Sequence, residues 1–499
     1  MKEESRKSCL LIFLAALICL AIPFACFMQP HYSTDSYANL NSIDVAIHIK
    51  NGRVVTALVQ SIFNRLDFIP LKHQTLTIAV AICVMALSVS LIYFEILPYL
   101  KQNHWTELLV FLSILLFYAN VFFSEWLIYV ESMTSTSIGL LMLTVSIILA
   151  GRKLNWKRLL VSFLLLLAVL NMYQLYIEFY LTMSLIIIYA RTGGLLSKES
   201  FLHSLLITLT AAVACVLVIL LQPMIPRLFG MAVPDRQATF NLETLLANIK
   251  SIWKSQESIL SNAGRLLPNG VFPATLISLF AILLWEHFRC GNVGNRLLYS
   301  LLAIIMITLL TYAPHIICTV VWLAPRTLVG VFHVPMYMAI SIGISQSWVP
   351  EVNQRAAKLT IVIITLFLLV NAYSANGVLS NAIANNHIDQ YCATLIQDRI
   401  VQYQEETGIT VTKIGAVNDS SPMYYNPGVD YVNHDLNIRA MTVAWGWSNL
   451  LNFYCQTNYS IVAVPDDIYN TYFSGKNWNT LNLDEQAIFV GDTLYLAMY

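Results

Sequence analysis

Long apolar runs fill most of the first 375 residues, and short polar loops separate them. A helix needs about 20 apolar residues to cross a bilayer. Charged residues make up only 11% of the chain, whereas soluble domains carry about 25%. The sequence therefore predicts an α-helical polytopic membrane protein. The clearest candidate spans are Cys9–Met28, Leu76–Leu97, Leu108–Phe123, Thr134–Ala150, Leu202–Leu221, Val271–Trp285, Leu297–Tyr312, Leu328–Ser345 and Leu359–Tyr373.

The apolar stretch Leu159–Ala190 is too long for one span and short for two, and Asn171–Gln174 interrupts its middle. Basic residues flank the stretch on both sides. Because Lys and Arg are retained in cytoplasmic loops, a hairpin of two short helices keeps both basic clusters inside. This gives about eleven transmembrane helices, with the N-terminus in the cytoplasm. The first run has no cleavage site close behind it, which favours a retained anchor over a signal peptide.

Three polar segments are then predicted on the outer side: Gln29–Gln74, Pro223–Gly270 and Asn376–Tyr499. The first two contain apolar residues at helical spacing, which predicts amphipathic helices on the outer membrane surface. Such helices could equally pack on neighbouring spans. The third segment has twelve acidic and four basic residues and no long apolar run.

Residues 376–499 are therefore predicted to form a small soluble α/β domain outside the membrane, and residues 1–375 the transmembrane domain. In this tail a helical pattern ends at Gly408, and β-rich runs follow, the last of them broken by a turn at Gly491-Asp492. Cys392 and Cys455 of the tail could form a disulfide outside the cytoplasm, and two unpaired thiols are the open alternative. The Cys and His residues show no metal-ligand spacing, so no metal site is predicted.

Asp35 is the candidate catalytic residue because it follows the first span closely, at the depth of lipid phosphate groups. A carboxylate there can accept the proton of an acceptor hydroxyl that attacks a sugar. Arg53 and Arg326 are the candidate phosphate ligands, since both are predicted outside, next to spans, and a guanidinium matches a phosphate group. An arginine at a membrane edge can also simply reach the headgroups.

Other polar residues near the predicted outer surface are candidates for substrate binding. Asp44 competes with Asp35 as the important acid, although it could also cap a helix or pair with Lys50. Glu178 lies in an otherwise apolar hairpin, where an ionisable group is costly and often functional, although it could instead face water. The full set of these candidates is Asp44, Glu125, Glu131, Tyr173, Gln174 and Glu178.

Four short motifs occur in a distinctive order along the chain. They are Asp35 after the first span, Gly52-Arg53, Tyr173-Gln174 in the hairpin, and Pro325-Arg326 in a late outer loop. This order resembles the Gtr-type, serotype-converting O-antigen glucosyltransferases of the GT-C class of membrane enzymes. The family often has two adjacent acidic residues in the first loop, whereas Asp35 is followed here by a serine.

The resemblance implies a GT-C-like fold and an inverting transfer of glucose from an undecaprenyl-phosphate donor to an envelope glycan such as O-antigen. The reaction would take place on the outer side of the bacterial cytoplasmic membrane. Asp35 would act as the base, Arg53 and Arg326 would hold the donor phosphate, and the tail would help to hold the acceptor. The partners implied are the lipid-linked donor, the glycan acceptor, a flippase and a donor synthase. No cofactor and no nucleic acid is expected.

Two rival interpretations remain open at this point. Another polyprenyl-phosphate-dependent glycosyltransferase, or a glycan polymerase or ligase, would share most of these features. A glycolipid transporter or flippase, or an assembly protein, would need no catalytic carboxylate. Transporters often show repeated halves and interrupted helices near the membrane midplane, and no repeat is evident in this sequence.

Overall fold

The structure is a computed structural model that describes residues 2–100, 103–233, 237–348, 354–418, 436, 438–476 and 482–498. The strands are β1 Lys413–Asn418, β2 Ser460–Ile461, β3 Ala487–Val490 and β4 Thr493–Met498. The α-helices are α1 Lys2–Phe24, α2 Val45–Lys50, α3 Val54–Arg65, α4 Gln74–Ile96, α5 His104–Leu115, α6 Ser124–Ile128, α7 Met133–Gly151, α8 Trp156–Leu170, α9 Tyr176–Arg191, α10 Lys198–Leu228, α11 Leu242–Asn262, α12 Val271–Arg289, α13 Val293–Ile316, α14 Gly330–Gln346, α15 Gln354–Thr407, α16 Trp447–Tyr454, α17 Asp466–Ile468 and α18 Leu483–Gln486.

The predicted polytopic helical fold is confirmed. Within the described residues, seven helices are long and apolar enough to cross a membrane: α1, α4, α7, α10, α12, α13 and α15. Each of the other predicted spans overlaps a shorter helix of 12 to 17 residues, namely α5, α8, α9 or α14. The predicted span Leu108–Phe123 was too long at its end, since α5 stops at Leu115. The predicted hairpin divides into α8 and α9 around residues 171–175. The count of eleven spans stays a prediction.

The distribution of apolar residues around each helix explains its place in the bundle. Helix α9 is buried on all sides from Tyr176 to Ala190, and α14 is buried along its whole length. Helix α10 instead leaves a row of large apolar side chains exposed, among them Leu205, Leu209 and Val213. A helix that is apolar all round belongs in the centre of a membrane protein. Helices α9 and α14 therefore form the centre of the bundle, and α10 lies at its periphery.

Helix α3 turns its polar side to the protein and its apolar side outward. Thr56 and Gln60 are buried, and they donate hydrogen bonds to the main-chain oxygens of Met172 (3.2 Å) and Glu131 (3.2 Å). Leu58 and Ile62 are exposed on the other side. This arrangement fits the predicted amphipathic helix at the membrane surface. Helix α11 likewise exposes apolar residues, including Trp253.

Helix α15 has 54 residues and is therefore about 80 Å long, far more than a bilayer requires. Its C-terminal half packs through Ala393, Ile396 and Ile400 in one apolar cluster with strand residues such as Leu494. The sheet has the order β2-β1-β4-β3, in which β1 is parallel to β2 and β4 while β3 and β4 form an antiparallel hairpin.

The predicted domain boundary at 375/376 falls inside α15. The same helix therefore contributes to both the membrane bundle and the tail. The helix ends at Thr407, and the next residue, Gly408, has a φ of +72°, which suits glycine. The division into two domains stays a prediction, but any such domains are joined by a continuous helix rather than by a flexible linker.

Candidate functional site

Four loops meet at one end of the bundle, which we call the site end. They are the loop after α1, the turn before α7, the tip of the α8–α9 hairpin and the loop before α14. Ser33 Oγ donates to Glu131 Oε1 (2.8 Å), and the indole Nε1 of Trp126 donates to the main-chain oxygen of Arg326 (2.8 Å). Because these loops are far apart in sequence, their contacts depend on how the bundle is packed.

The backbone at Gly52 sets the position of Arg53. Gly52 has a φ of +70°, and a Cβ placed there would lie 2.8 Å from the Cα of Gln222 in α10. Both conditions favour glycine. The Arg53 amide then donates to the His48 carbonyl (2.8 Å), and Arg53 becomes the residue before α3. Its guanidinium lies over the ring of Tyr173, with Cζ 5.0 Å from the ring centroid.

Arg326 is held by Glu125. The Glu125 side chain is fully buried, and its Oε2 accepts a hydrogen bond from the Arg326 main-chain N–H (2.6 Å). Its Oε1 forms an ion pair with the guanidinium of Arg326. The same guanidinium lies over the ring of Tyr129, at 4.7 Å from Cζ to the centroid. A carboxylate and an aromatic ring therefore fix both the backbone and the side chain of Arg326.

Tyr173 is the point at which the two arginines come together. Arg53 stacks on its ring. Burial raises the pKa of the Tyr173 phenol, and the nearby positive charges of Arg326 and Arg53 oppose that rise. Trp126 packs edge-on against the same ring, with centroids 5.1 Å apart. The structure thus brings four of the predicted site residues, Arg53, Glu125, Tyr173 and Arg326, into one cluster, which we call the arginine cluster.

Asp35 is half-buried in a loop that three polar side chains organise. Its main-chain N–H donates to Ser33 Oγ (3.1 Å). Glu131 accepts hydrogen bonds from the hydroxyls of Ser33 (2.8 Å) and Ser36 (3.0 Å), the two residues that bracket the segment. The Asp35 Oδ1 accepts a hydrogen bond from the indole N–H of Trp445 (3.0 Å). Glu131, a predicted substrate ligand, thus supports the loop that carries Asp35.

A cavity lies beside the Asp35 loop, and Asp35, Arg53 and Arg326 are not among the described residues that line it. Ser33, Thr34 and Tyr129 line it on one side, and Asn385 and Asp389 of α15 line it on the other. The cavity is small: a water-sized sphere can occupy about 20 Å³ of it, which is room for about one water molecule. Since Tyr129 also carries the Arg326 guanidinium, a single ring separates this cavity from the arginine cluster.

The remaining predicted residues have different environments. Asp44 caps α2 by accepting a hydrogen bond from the Ala46 N–H (2.9 Å). Helix capping was the alternative to a role in substrate binding. Glu178 is only 1% exposed and does not face water; its Oε1 accepts from the Gly330 N–H (3.2 Å). The Gln174 side-chain nitrogen is buried without a hydrogen-bond partner.

Cys392 and Cys455 are both buried free thiols in the structure. This is the second of the two expected alternatives, two unpaired cysteines rather than a disulfide. The Arg439 guanidinium approaches the Cys392 sulfur (4.0 Å), and the Cys455 thiol points to the Ala393 carbonyl (4.0 Å). Among the described residues, no group of His, Cys, Asp and Glu has the arrangement of a metal site.

Sequence reasoning missed the residues that the tail contributes. Asn386 of α15 forms two hydrogen bonds with the main chain of Tyr32 (2.8 and 2.9 Å). Asp389 pairs with Arg439 (3.6 Å) beside the cavity. Trp445 reaches Asp35 itself. No spacing in the sequence links these residues to the first loop.

The family model described as Glucosyl transferase GtrII matches residues 24–343, well over half of the chain. The protein belongs to this family. The resemblance to Gtr-type enzymes is thereby confirmed, and the chain is a membrane glucosyltransferase. None of the curated proteins compared with the chain matches it.

The GtrII match includes Asp35 and the whole arginine cluster. It ends within α14, so α15 and the tail lie outside the matched residues. The enzyme class also sets aside the transporter and assembly-protein interpretations, in which the chain has no catalytic activity. The part of the site that Trp445, Asn386 and Asp389 provide is thus additional to what the family model describes.

Proposed function

We propose that this glucosyltransferase takes glucose from a polyprenyl-phosphate donor and transfers it, with inversion, to an envelope glycan such as O-antigen. The transfer would take place on the outer side of the bacterial cytoplasmic membrane, with the site end and the tail outside and the N-terminus inside. A flippase and a synthase that supply the donor would be its partners. The observation that carries the proposal is the arginine cluster, in which Arg53 stacks on Tyr173 and Glu125 pairs with Arg326. Trp126 joins the two halves, since it packs on Tyr173 and donates its indole N–H to the Arg326 carbonyl.

The charge of the arginine cluster suits a lipid-linked sugar phosphate. Two guanidinium groups and one carboxylate give the cluster one net positive charge, and a polyprenyl-phosphate sugar is a phosphodiester with one negative charge. Guanidinium groups bind phosphate oxygens in a planar, directional way. Glu125 keeps Arg326 in a fixed orientation, which lowers the entropy lost when the phosphate binds.

The position of the cluster suits a donor that stays in the membrane. Arg53 lies at the start of α3, whose exposed Leu58 and Ile62 are available to acyl or prenyl chains. The phosphate would lie at the arginine cluster while the prenyl chain remains in the bilayer. A water-soluble nucleotide sugar would gain nothing from this apolar surface.

In the proposed reaction, Asp35 accepts the proton of an acceptor hydroxyl while its oxygen attacks the anomeric carbon of glucose. The bond between that carbon and the phosphate oxygen breaks, and its electron pair leaves with the polyprenyl phosphate. Attack opposite the leaving group inverts the anomeric configuration. The phosphate is a stable leaving group when Arg53 and Arg326 bind its charge, so no general acid is required.

Purified protein in proteoliposomes tests the proposal. Radiolabelled undecaprenyl-phosphate-glucose, undecaprenyl-phosphate-mannose and UDP-glucose are offered separately, with O-polysaccharide from a host strain lacking the gene as acceptor. We expect label to move only from undecaprenyl-phosphate-glucose, and NMR of the product to show the inverted anomer. Direct use of UDP-glucose, or retention of configuration, would contradict the proposal, and preference for the mannose donor would favour the rival sugar specificity.

A further inference from the structure

Trp445 is an exposed tryptophan whose indole N–H is hydrogen-bonded to the candidate base. Its side chain is 59% exposed, although an exposed indole ring forgoes the stabilisation that burial gives. Its N–H nevertheless donates to Asp35 Oδ1 at 3.0 Å. Trp447, two residues later, is buried in the core of the tail. The turn therefore exposes one tryptophan at the candidate base and buries the other.

The turn that carries Trp445 is closely packed. The Gly446 amide donates to the Val443 carbonyl (3.0 Å), and a Cβ on Gly446 would lie 2.6 Å from the Ala440 carbonyl oxygen. Asn449 donates to the Trp445 carbonyl (3.3 Å). These contacts fix the backbone, and the hydrogen bond to Asp35 fixes the ring.

The loop that carries Asp35 is tied to the tail at several points besides this one. Asn386 binds the Tyr32 main chain through two hydrogen bonds. The hydroxyls of Tyr37 and Tyr454 lie 3.2 Å apart, and Phe453 packs against Tyr32. The Asp35 loop and the tail therefore form one unit, so that a tail residue can act at the site with defined geometry.

The surroundings of Trp445 and Asp35 match the chemistry of a sugar. One face of a pyranose presents C–H groups that pack on an aromatic ring, and its rim presents hydroxyls that need polar partners. Thr34, next to Asp35, opens onto the cavity whose other wall carries Asn385 and Asp389. A flat apolar surface thus lies beside a carboxylate and near a polar cavity.

We propose that the Trp445 ring is the platform on which the acceptor sugar stacks, and that its indole N–H turns the Asp35 carboxylate toward the attacking hydroxyl. The inference rests on the proposed role of Asp35 as base. It assigns acceptor recognition to a residue outside the segment that the family model matches. Glucosyltransferases of this family could then differ in acceptor through their tails while keeping a common donor site.

Two substitutions of Trp445 distinguish the role of its ring from the role of its indole N–H. Trp445→Ala removes both, and the loss of about 50 Å² of apolar contact should raise the acceptor KM about tenfold. The KM for undecaprenyl-phosphate-glucose should not change. Trp445→Phe keeps a ring without the N–H, so the acceptor KM should stay within about twofold of the original while kcat falls because Asp35 is less well oriented. The acceptor probe is O-polysaccharide from the host strain lacking the gene.

Tyr472→Ala is the matched control, since Tyr472 is another partly exposed aromatic residue of the tail and should leave both KM values unchanged. Thermal unfolding in detergent verifies that each variant is folded. An unchanged acceptor KM in Trp445→Ala, or equal rises in donor and acceptor KM, would overturn the inference. If Asp35 is not the base, Asp35→Asn retains transfer, whatever the results for the Trp445 variants. This outcome distinguishes failure of the proposed function from failure of the inference about Trp445.

Discussion

Replacing Arg326 by alanine should separate its structural role from its role toward the donor. Glu125 is fully buried and pairs with the Arg326 side chain, which is itself only 23% exposed. Removing one partner of a buried pair leaves an uncompensated charge and costs about 3 kcal/mol or more. We therefore expect Arg326→Ala to be strongly destabilised and inactive.

A second substitution, Glu125→Gln, removes the buried carboxylate charge that Arg326→Ala leaves without its partner. In Arg326→Ala/Glu125→Gln the glutamine oxygen can still accept from the main-chain N–H of residue 326, a bond of 2.6 Å in the native protein. Stability should recover by about 2 kcal/mol, which is the coupling expected for residues in direct contact. Transfer should not recover, because the donor phosphate still lacks a guanidinium.

Stability and transfer are measured separately in the wild-type protein, in each single variant and in the double variant. Thermal unfolding of detergent-solubilised protein gives stability, and transfer from labelled undecaprenyl-phosphate-glucose gives activity. If the double variant regains transfer together with stability, Arg326 has only a structural role and the proposed phosphate site is wrong. An Arg326→Ala protein of unchanged stability would refute the assignment of a buried ion pair.

Three further predictions concern the segment before α3. Arg53→Lys should raise the donor KM about tenfold, since an ammonium group cannot reproduce a planar fork over Tyr173; an unchanged KM in steady-state assays would contradict this. Gly52→Ala should impair both folding and transfer, because its Cβ would meet the Gln222 backbone; wild-type thermal stability would refute it. Burial and the charge of Arg53 lower the pKa of His48 to about 4. As pH falls, His48 is therefore protonated in the unfolded chain, at about pH 6.5, before it is protonated in the folded protein. The folded state loses stability at this site as pH falls from about 6.5 toward 4. His48→Gln should reduce the difference in melting temperature between pH 7.5 and pH 5, and an identical difference would show that His48 is not the titrating group.

Hydropathy was sufficient to predict the bundle, because every predicted span overlaps a helix. It could not decide how many helices cross the membrane. Helices α5, α8, α9 and α14 have only 12 to 17 residues each, and whether such short helices cross depends on their neighbours rather than on their own composition. The polar interruption Asn171–Gln174 nevertheless located the break between α8 and α9, at residues 171–175, whereas the orientation inferred from the basic flanks stays a prediction.

The candidate site could be predicted only in part. Charge and position along the chain made Arg53 and Arg326 candidates. They did not predict the burial of Glu125 against Arg326, because that depends on the packing of α6 beside the loop before α14. Asp44 and Asp35 looked alike in sequence, and only the structure shows that Asp44 caps α2. Trp445 lies more than 400 residues from Asp35, and no local pattern reports such a contact.

The central claim is that Asp35 is the base for glucosyl transfer, and replacing it with asparagine tests this most directly. Asparagine keeps the side-chain size and an oxygen that can accept from Trp445, but it cannot take a proton. We predict that Asp35→Asn lowers kcat about a hundredfold or more with unchanged folding, whereas Asp44→Asn, which preserves a helix cap, keeps full activity. Transfer by Asp35→Asn at the rate of the Asp44→Asn control would contradict the account.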